Sequence, residues 1–189
     1  MTLLIRLAAP LQSWGSDSKF STRRTEREPT KSGVVGLCAC ALGRKRTDLI
    51  SDLAELRFGI RTDNQGKLVT DFQTAKNNNT SFLSYRHYLA DAVFTAGLEG
   101  DPTLLMDIDA ALHSPAYPLF LGRRSCPPTL PLSLGISELS LLAALKEGAK
   151  VNARIVVDWD EPSDILKRDL PVSFNQESRK YIFRSLKEC

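Results

Sequence analysis

The spacing of apolar and polar positions changes several times along the chain, and each change marks a predicted element. Apolar, β-branched or alternating runs predict strands at residues 2–8, 57–62, 68–72, 85–96 and 151–157. Apolar residues that recur at helical spacing, or that fill all sides of a segment, predict helices at residues 30–43, 47–56, 102–112 and 139–146. Strands that alternate with helices in this number indicate an α+β fold of the ferredoxin-like, RRM-like sandwich type.

Residues 63–88 are predicted to leave this core as a hairpin. Gln65 and Gly66 form a turn pair, and the consecutive asparagines at 77–79 indicate a flexible tip. A length of 189 residues suits one domain with a small appendage. We therefore expect a core at residues 1–136 that includes the hairpin, and a small C-terminal extension at residues 137–189 that packs on it.

The composition is that of an ordinary globular protein. Hydrophobic residues make up 42% of the chain and charged residues 25%, which excludes disordered and collagen-like proteins. No apolar run approaches the roughly 20 residues that a membrane-spanning helix needs. The four cysteines show neither metal-site nor disulfide-framework spacing, so we expect reduced thiols, a cytoplasmic location and no contact with a membrane.

Positive charge is concentrated near the start of the chain. Residues 1–50 contain nine Lys or Arg against four Asp or Glu, a balance of +5, whereas the other 139 residues contain 16 against 18. This concentration fits a polyanionic partner, and a solvated basic surface explains it equally well. Residues 9–31 are polar and irregular, and a loop of that length is often functional.

The start of the helix at residues 30–43 carries groups that suit an anion. A hydroxyl cap at Thr30 or Ser32, the cation of Lys31 and free backbone N–H groups meet there. Gly33 costs helix propensity, which makes sense if another group approaches the backbone closely. The alternative is simple helix capping.

Residues 122–125 form a second candidate for phosphate contacts. Gly122 lets the backbone turn, Arg123 and Arg124 offer planar guanidinium forks, and Ser125 adds donors. The alternative is that one arginine forms a structural salt bridge while the other lies in water.

Trp14 lies in a polar loop two residues after Gln12 and directly before Gly15. An exposed indole can stack on an unpaired base, and a glutamine can hydrogen-bond a base edge. The alternative is that Trp14 folds back onto the core, as large aromatic residues usually do. Together with the basic segments, this loop favours single-stranded RNA as the partner.

The signals for catalysis and for metal binding are weak. His87 lies between two tyrosines and could act on an RNA 2′-hydroxyl, but a surface histidine is the simpler interpretation, as it is for His113 at a helix end. Cys38 and Cys40 point to different faces of one helix and cannot bind one ion together. We expect no metal, no cofactor and no small-molecule substrate.

Five motifs follow one another over nearly the whole chain. They are LAAPLQSWG at residues 7–15, PTKSGVVGL at 29–37, YRHYLADAVF at 85–94, LGRRSCP at 121–127 and DLPVSF at 169–174. In this order they resemble the CasD family of CRISPR-associated proteins. Any one motif alone is a weak signal, whereas five in family order are specific.

The resemblance implies a subunit of the type I-E CRISPR surveillance complex, Cascade, which serves antiviral defence. It implies a RAMP-superfamily protein with a ferredoxin-like core and a thumb-like β-hairpin. Such a protein binds and caps the five-prime handle of CRISPR RNA and touches the backbone subunit and the large subunit. Carried over by motif, the RNA contacts are Gln12, Trp14, Arg23, Arg24, Lys31, Ser32, Tyr85, Arg86, Gly122, Arg123, Arg124 and Ser125.

The resemblance also implies that a different subunit cuts the precursor RNA, so this chain is not expected to be an enzyme. Two other functions stay open on the residues alone. A metal-independent endoribonuclease that processes precursor CRISPR RNA would use His87 or Tyr85. A purely structural subunit would turn its arginines towards acidic partner proteins.

Overall fold

The computed structural model describes residues 1–15, 21–77, 80–151 and 153–189. Its helices are α1 (Lys31–Ala41), α2 (Ser51–Glu55), α3 (Pro102–His113) and α4 (Leu141–Lys146). Its strands are β1 (Thr2–Ala8), β2 (Leu11–Gln12), β3 (Thr22–Arg23), β4 (Arg57–Asn64), β5 (Lys67–Asn77), β6 (Thr80–Ala90), β7 (Val93–Glu99), β8 (Ser133–Ser137), β9 (Arg154–Asp158), β10 (Ile165–Ser173) and β11 (Lys180–Glu188). Within the described ranges, no helix is long and apolar enough to cross a membrane.

The main sheet has seven antiparallel strands in the order β10-β11-β9-β4-β7-β1-β8. Helices α1 and α2 lie between β1 and β4 in the chain, and α3 lies between β7 and β8. The predicted α+β class is therefore confirmed. The two long predicted helices are confirmed as well, α1 with its N-cap at Thr30 and a left-handed Gly43 after its end.

Helices cover both faces of the main sheet. Successive residues of a strand point to opposite faces, so neighbouring residues of one strand contact different helices. Phe58 and Ile60 of β4 belong to the larger apolar core, which also contains buried residues of α1 and α3. Gly59 lies between them and meets Leu145 of α4 on the other side. The short helix α4 thus packs on the face opposite α1.

The predicted hairpin excursion corresponds to β5 and β6, which pair antiparallel from Lys67 opposite Ala90 to Asn77 opposite Thr80. The extended backbone is interrupted directly after β6 at Asp91, whose φ is 56°. The single strand predicted at residues 85–96 therefore divides between the hairpin and the core strand β7. Residues 78 and 79 of the predicted tip lie outside the described residues.

The segment at residues 137–189 extends the core sheet. Strand β9 pairs with β4, and β11 pairs with β9, while the expected boundary at residue 136 falls inside β8. Strands β10 and β11 escaped prediction because their outward positions include exposed apolar residues such as Leu166 and Phe183, which obscure the alternation that marks a half-buried strand. Helix α2 is also shorter than predicted and begins at Ser51.

The close approach of α4 to β4 can be tested at Gly59. A Cβ atom there would lie 2.6 Å from Leu145 Cδ1, so Gly59→Ala should lower the free energy of unfolding by about 1–3 kcal/mol through overpacking. Urea denaturation measures the change. In a Leu145→Ala background the same substitution should cost less, and an equal cost in both backgrounds would contradict this packing.

Candidate nucleic-acid interface

The segment that carries Gln12 and Trp14 lies in the interior, with exposed fractions of 0% and 1% for the two residues. The Gln12 amide nitrogen donates to the carbonyl oxygens of Leu7 (3.1 Å) and Ala92 (2.7 Å), and Trp14 Nε1 donates to Gln12 Oε1 at 3.1 Å. Both side chains are fully used inside the protein. The predicted RNA contacts by these two residues are corrected accordingly: Trp14 folds back onto the core.

Trp14 explains the glycine near the start of α1. A Cβ atom at Gly33 would lie 2.8 Å from Trp14 Cε3, closer than packed carbon atoms allow. The group that approaches the helix backbone closely is therefore the indole ring. The motifs at residues 7–15 and 29–37 meet here as a packing unit.

The start of α1 binds protein groups in place of an external anion. The Lys31 backbone N–H donates to Asp169 Oδ2 at 2.8 Å, and the Gly33 N–H donates to Thr30 Oγ1 at 3.2 Å. Lys31 Nζ lies 2.9 Å from Asp158 Oδ2 and is buried. The prediction that Lys31 and this helix start hold RNA phosphate is thus corrected, because internal oxygens already occupy these donors.

The carboxylates of Asp158 and Asp169 belong to one buried ionic network. Arg184 contacts both of them, and Asp158 also accepts the Phe58 backbone N–H at 2.9 Å. Burial lowers the pKa of the Lys31 ammonium, and the nearby Asp158 opposes that shift. The network joins α1 to β9, β10 and β11.

Ser32 is half-buried and stays close to the surface. Its hydroxyl donates to Thr30 Oγ1 at 3.3 Å. It lines a cleft beside α1, as do Gly122 and Arg124. Three predicted contacts from two distant motifs therefore share one depression in the surface.

The loop at residues 122–125 is held by backbone contacts. Gly122 has a φ of 84°, and a Cβ atom there would overlap the carbonyl oxygen of Ser13, so the position requires glycine. The Ser13 N–H donates to Leu121 O at 3.2 Å, and Cys126 N donates to Arg123 O at 2.9 Å. The loop is thereby fixed against the segment that contains Trp14.

The two adjacent arginines of this loop do different things. The Arg123 guanidinium lies 4.6 Å from the centre of the Tyr88 ring and donates to the carbonyl oxygens of Arg23 (2.8 Å) and Arg24 (3.3 Å). Arg124 is exposed and lines the cleft beside α1. Arg123 is therefore structural, and Arg124 faces solvent. The structural contacts of Arg123 are a cation–π contact and hydrogen bonds to carbonyl oxygens, not the salt bridge of the alternative interpretation.

The base of the hairpin forms a second exposed surface. Strand β3 pairs with β6 so that Arg23 lies opposite Arg86, and the side chains of Arg23 and Arg24 are exposed. Tyr85 is exposed and packs edge-on against Phe72 at 5.3 Å between ring centres. We call Arg23, Arg24, Tyr85 and Arg86 the hairpin surface.

The cleft beside α1, here called the α1 cleft, has a volume of about 960 Å³. Its walls carry cationic and aromatic side chains, and among the described residues that line it none is acidic. The cations are Arg44, Lys45, Arg46, Arg124 and Arg179, and the aromatic residues are Tyr117, Phe120, Phe174 and Tyr181. Cations with aromatic rings in one groove are the features that bind unpaired nucleic acid.

Sequence reasoning missed part of this cleft for two reasons. The triplet Arg44, Lys45 and Arg46 was visible as a basic run directly after the end of a helix, and only its neighbours in space were unknown. Arg179 and Tyr181 carry no local signal, because Arg179 lies in the unpredicted turn between β10 and β11 and Tyr181 lies in the unpredicted strand β11.

Other chemistry finds little support in the described part of the chain. No group of three or more His, Cys, Asp or Glu residues there could hold a metal ion. All four cysteines are free thiols, and burial raises the pKa of the Cys38 thiol to about 12. His87 Nδ1 lies 2.9 Å from Thr70 Oγ1 across the hairpin, and His113 Nδ1 lies 2.8 Å from Asp109 O within α3.

Comparison with known proteins identifies the family to which the chain belongs. The family model described as CRISPR-associated protein (Cas_Cas5) matches residues 2–187. The chain belongs to the Cas5 family. Among its relatives is the "CRISPR system Cascade subunit CasD" of Escherichia coli (strain K12), which is 36% identical over 162 residues, or 73% of this chain and 72% of that protein. The resemblance seen in five sequence motifs is confirmed.

Two solved structures share the fold of this Cas5-family chain along its full length. "Crystal structure of Cas protein" matches with a TM-score of 0.81 at 39% identity and is covered to 94%. A chain of "CRISPR RNA-guided surveillance complex" matches with a TM-score of 0.84 at 28% identity and is covered to 89%. The fold is therefore one that such a complex contains.

Substitution of the two adjacent arginines should separate their roles. Arg123→Ala should lower the free energy of unfolding by about 1–3 kcal/mol, because it removes hydrogen bonds and a cation–π contact. Arg124→Ala should change it by less than about 0.5 kcal/mol. Urea denaturation followed by circular dichroism measures both, and equal losses would contradict the division of roles.

Proposed function

We propose that this chain is a Cascade subunit that binds and caps the five-prime handle of CRISPR RNA. Its relative CasD is named as a subunit of Cascade, and its fold matches a chain of an RNA-guided surveillance complex. The proposed partners are therefore CRISPR RNA, the backbone subunit and the large subunit. The function concerns binding and assembly.

The observation that carries the proposal is the α1 cleft. It joins Ser32, Gly122 and Arg124, which the family motifs imply as RNA contacts, to a wall of further cations. Unpaired RNA is recognised through its phosphates and through bases that stack on exposed rings. A groove without a described acidic lining residue suits the phosphates, and Tyr117 and Tyr181 offer rings for the bases.

The hairpin surface is the second proposed contact with the RNA. Arg23 and Arg24 offer exposed guanidinium groups, and Arg86 Nε is shielded from solvent without a hydrogen-bond partner in the described part of the chain. The exposed ring of Tyr85 is available to a splayed base. Arg123 and Ser125 act from the loop between the two surfaces, Arg123 mainly by holding the carbonyls of Arg23 and Arg24.

The arrangement of the core supports a ferredoxin-like assignment within the RAMP superfamily. Strands β4, β7, β1 and β8 are neighbours in that order, with helices inserted between β1 and β4 and between β7 and β8. We propose this unit as the core at residues 1–136. Residues 137–189 then form an extension that lengthens its sheet through β9.

The hairpin of β5 and β6 is proposed as the thumb that reaches a neighbouring subunit. It exposes Phe72, Phe82 and Leu83. Beyond the residues of β6 that pair with β2 and β3, it is a two-stranded ribbon, which has too little apolar contact to be stable by itself. A protein surface that covers these residues would stabilise the ribbon. We assign that role to the backbone subunit.

A non-catalytic role is favoured by the surroundings of His87. Its Nδ1 atom is engaged by Thr70, and the other histidine, His113, lies in α3 on the core rather than in the hairpin. General acid–base cleavage of RNA needs groups placed on both the attacking hydroxyl and the leaving oxygen. We therefore propose that this chain holds RNA that another subunit has cut.

RNA binding can be measured with the full chain and a single-stranded RNA of the CRISPR repeat. Arg124→Ala should weaken binding, and the slope of log K against log salt should fall by about 0.7 because one phosphate contact is lost. Filter binding at several KCl concentrations measures both. Lys150→Ala, an exposed cation after α4, should leave the slope unchanged, whereas the same loss in both variants would contradict a specific contact.

Cleavage can be tested by prolonged incubation of the full chain with labelled repeat RNA. We expect intact RNA on a denaturing gel, with and without a chelator, because His87 Nδ1 is already engaged by Thr70 Oγ1. A specific cut that disappears in His87→Ala would overturn the non-catalytic role and favour the endoribonuclease.

A further inference from the structure

The two RNA-facing surfaces described above are joined at the loop of residues 122–125. Arg123 turns towards the hairpin surface, where it holds the carbonyls of Arg23 and Arg24. The next residue, Arg124, turns into the α1 cleft. Adjacent side chains therefore serve opposite sides of one rigid loop, and a strand that touches both surfaces must cross it.

The turn after α1 supplies cations to the lining of the α1 cleft. Gly43 reverses the chain with a φ of 75°, and the Arg44 guanidinium is bound to Asp52 Oδ1 and Oδ2 at 2.6 and 2.5 Å. Arg44 thus anchors the turn to α2. Lys45 and Arg46 are exposed, line the cleft and form no side-chain ion pair with any described residue.

The turn between β10 and β11 supplies a further cation from the other end of the chain. Arg179 is exposed there and lines the same cleft. Phe174 at the start of this turn lies against α1, since a Cβ atom at Gly36 would be 3.8 Å from its ring. The hairpin formed by β10 and β11 therefore packs on α1, which lines the cleft.

Tyr117 is placed firmly at the edge of the cleft and is 46% exposed. The residue before it, Ala116, donates its N–H to Ala41 O of α1 at 2.9 Å. The residue after it, Pro118, accepts from the Cys40 thiol at 3.7 Å. A half-exposed ring on a fixed backbone is a suitable platform for one unpaired base.

We propose that Lys45, Arg46 and Arg179 are RNA phosphate contacts and that Tyr117 stacks on a base. The RNA strand then runs from the hairpin surface across the loop of residues 122–125 into the α1 cleft. This inference rests on the proposed RNA-binding function and assigns residues that lie outside the motifs at residues 7–15, 29–37, 85–94, 121–127 and 169–174. It makes the C-terminal extension part of the RNA site.

The test uses the full chain, single-stranded RNA of the CRISPR repeat and a series of KCl concentrations. Arg46→Ala combined with Arg179→Ala should lower the slope of log K against log salt by about 1.4, since each phosphate contact contributes about 0.7. Lys146→Ala is the matched control, because α4 packs on the opposite face of the sheet. All three residues are exposed, so thermal melting should be unchanged.

Stacking is tested separately at Tyr117. Tyr117→Ala should weaken binding by roughly fivefold to hundredfold without a change in slope, because a base–ring contact is lost and no charge is removed. Tyr117→Phe keeps the ring and should restore the affinity. A Phe variant as weak as the Ala variant would overturn the stacking role.

The outcomes separate this inference from the function on which it rests. Suppose that the unmodified chain binds RNA but the double variant at Arg46 and Arg179 shows the same slope of log K against log salt. The RNA then does not contact these two cations in the α1 cleft, and the inference is wrong. If the unmodified chain binds no RNA even at low salt, the proposed function itself is wrong. A reduced slope in the double variant alone, with Lys146→Ala unchanged, supports the path.

Discussion

A buried ionic network holds the end of the chain to the helix on which the rest of the structure depends. Asp169 of β10 accepts the first N–H of α1, Asp158 of β9 binds the Lys31 ammonium, and Arg184 of β11 joins the two carboxylates. Removal of one member of such a network leaves an uncompensated buried charge and costs about 3–5 kcal/mol. The start of α1 is therefore positioned by strands that come more than a hundred residues later.

This constraint has a direct consequence for the surface. Because Asp169 and Thr30 accept the N–H groups at the start of α1, the helix leaves its side and its C-terminal turn, rather than its N-terminus, at the surface. Trp14 closes the inner side of the helix through its contact with Gly33. The outer side is left facing the loop of residues 122–125, and the space between them is the α1 cleft.

The family motifs consequently combine two kinds of residue. Gln12, Trp14 and Lys31 have polar or aromatic side chains that suit RNA, yet they build the interior that positions α1. Arg124 and Ser32 lie at the surface that results. Packing residues and surface residues stand side by side in such motifs because a groove needs both a fixed wall and polar side chains that line it. Arg123 and Arg124 show this division within two neighbouring positions.

Local sequence patterns were sufficient for the elements whose formation is local. The helical spacing of residues 102–112, the cap at Thr30 and the left-handed Gly43 all depend on near neighbours in the chain, and the structure contains each of them. The ordered motifs likewise identified the family. Gln65 and Gly66 link β4 to β5, which belong to different sheets and do not pair with each other, so the hairpin turn expected there does not form. Strands β10 and β11 were missed, since exposed apolar residues blur their alternation.

Only the tertiary structure decided which polar residues face outward. An arginine or a lysine has the same local pattern whether it meets a buried carboxylate, as Lys31 does, or solvent, as Arg179 does. That choice depends on partners supplied by distant strands, because the cost of burying a charge is removed only where an opposite charge arrives in space. The chemical identity of the groups was therefore readable from the sequence, while their division between core and cleft required the fold.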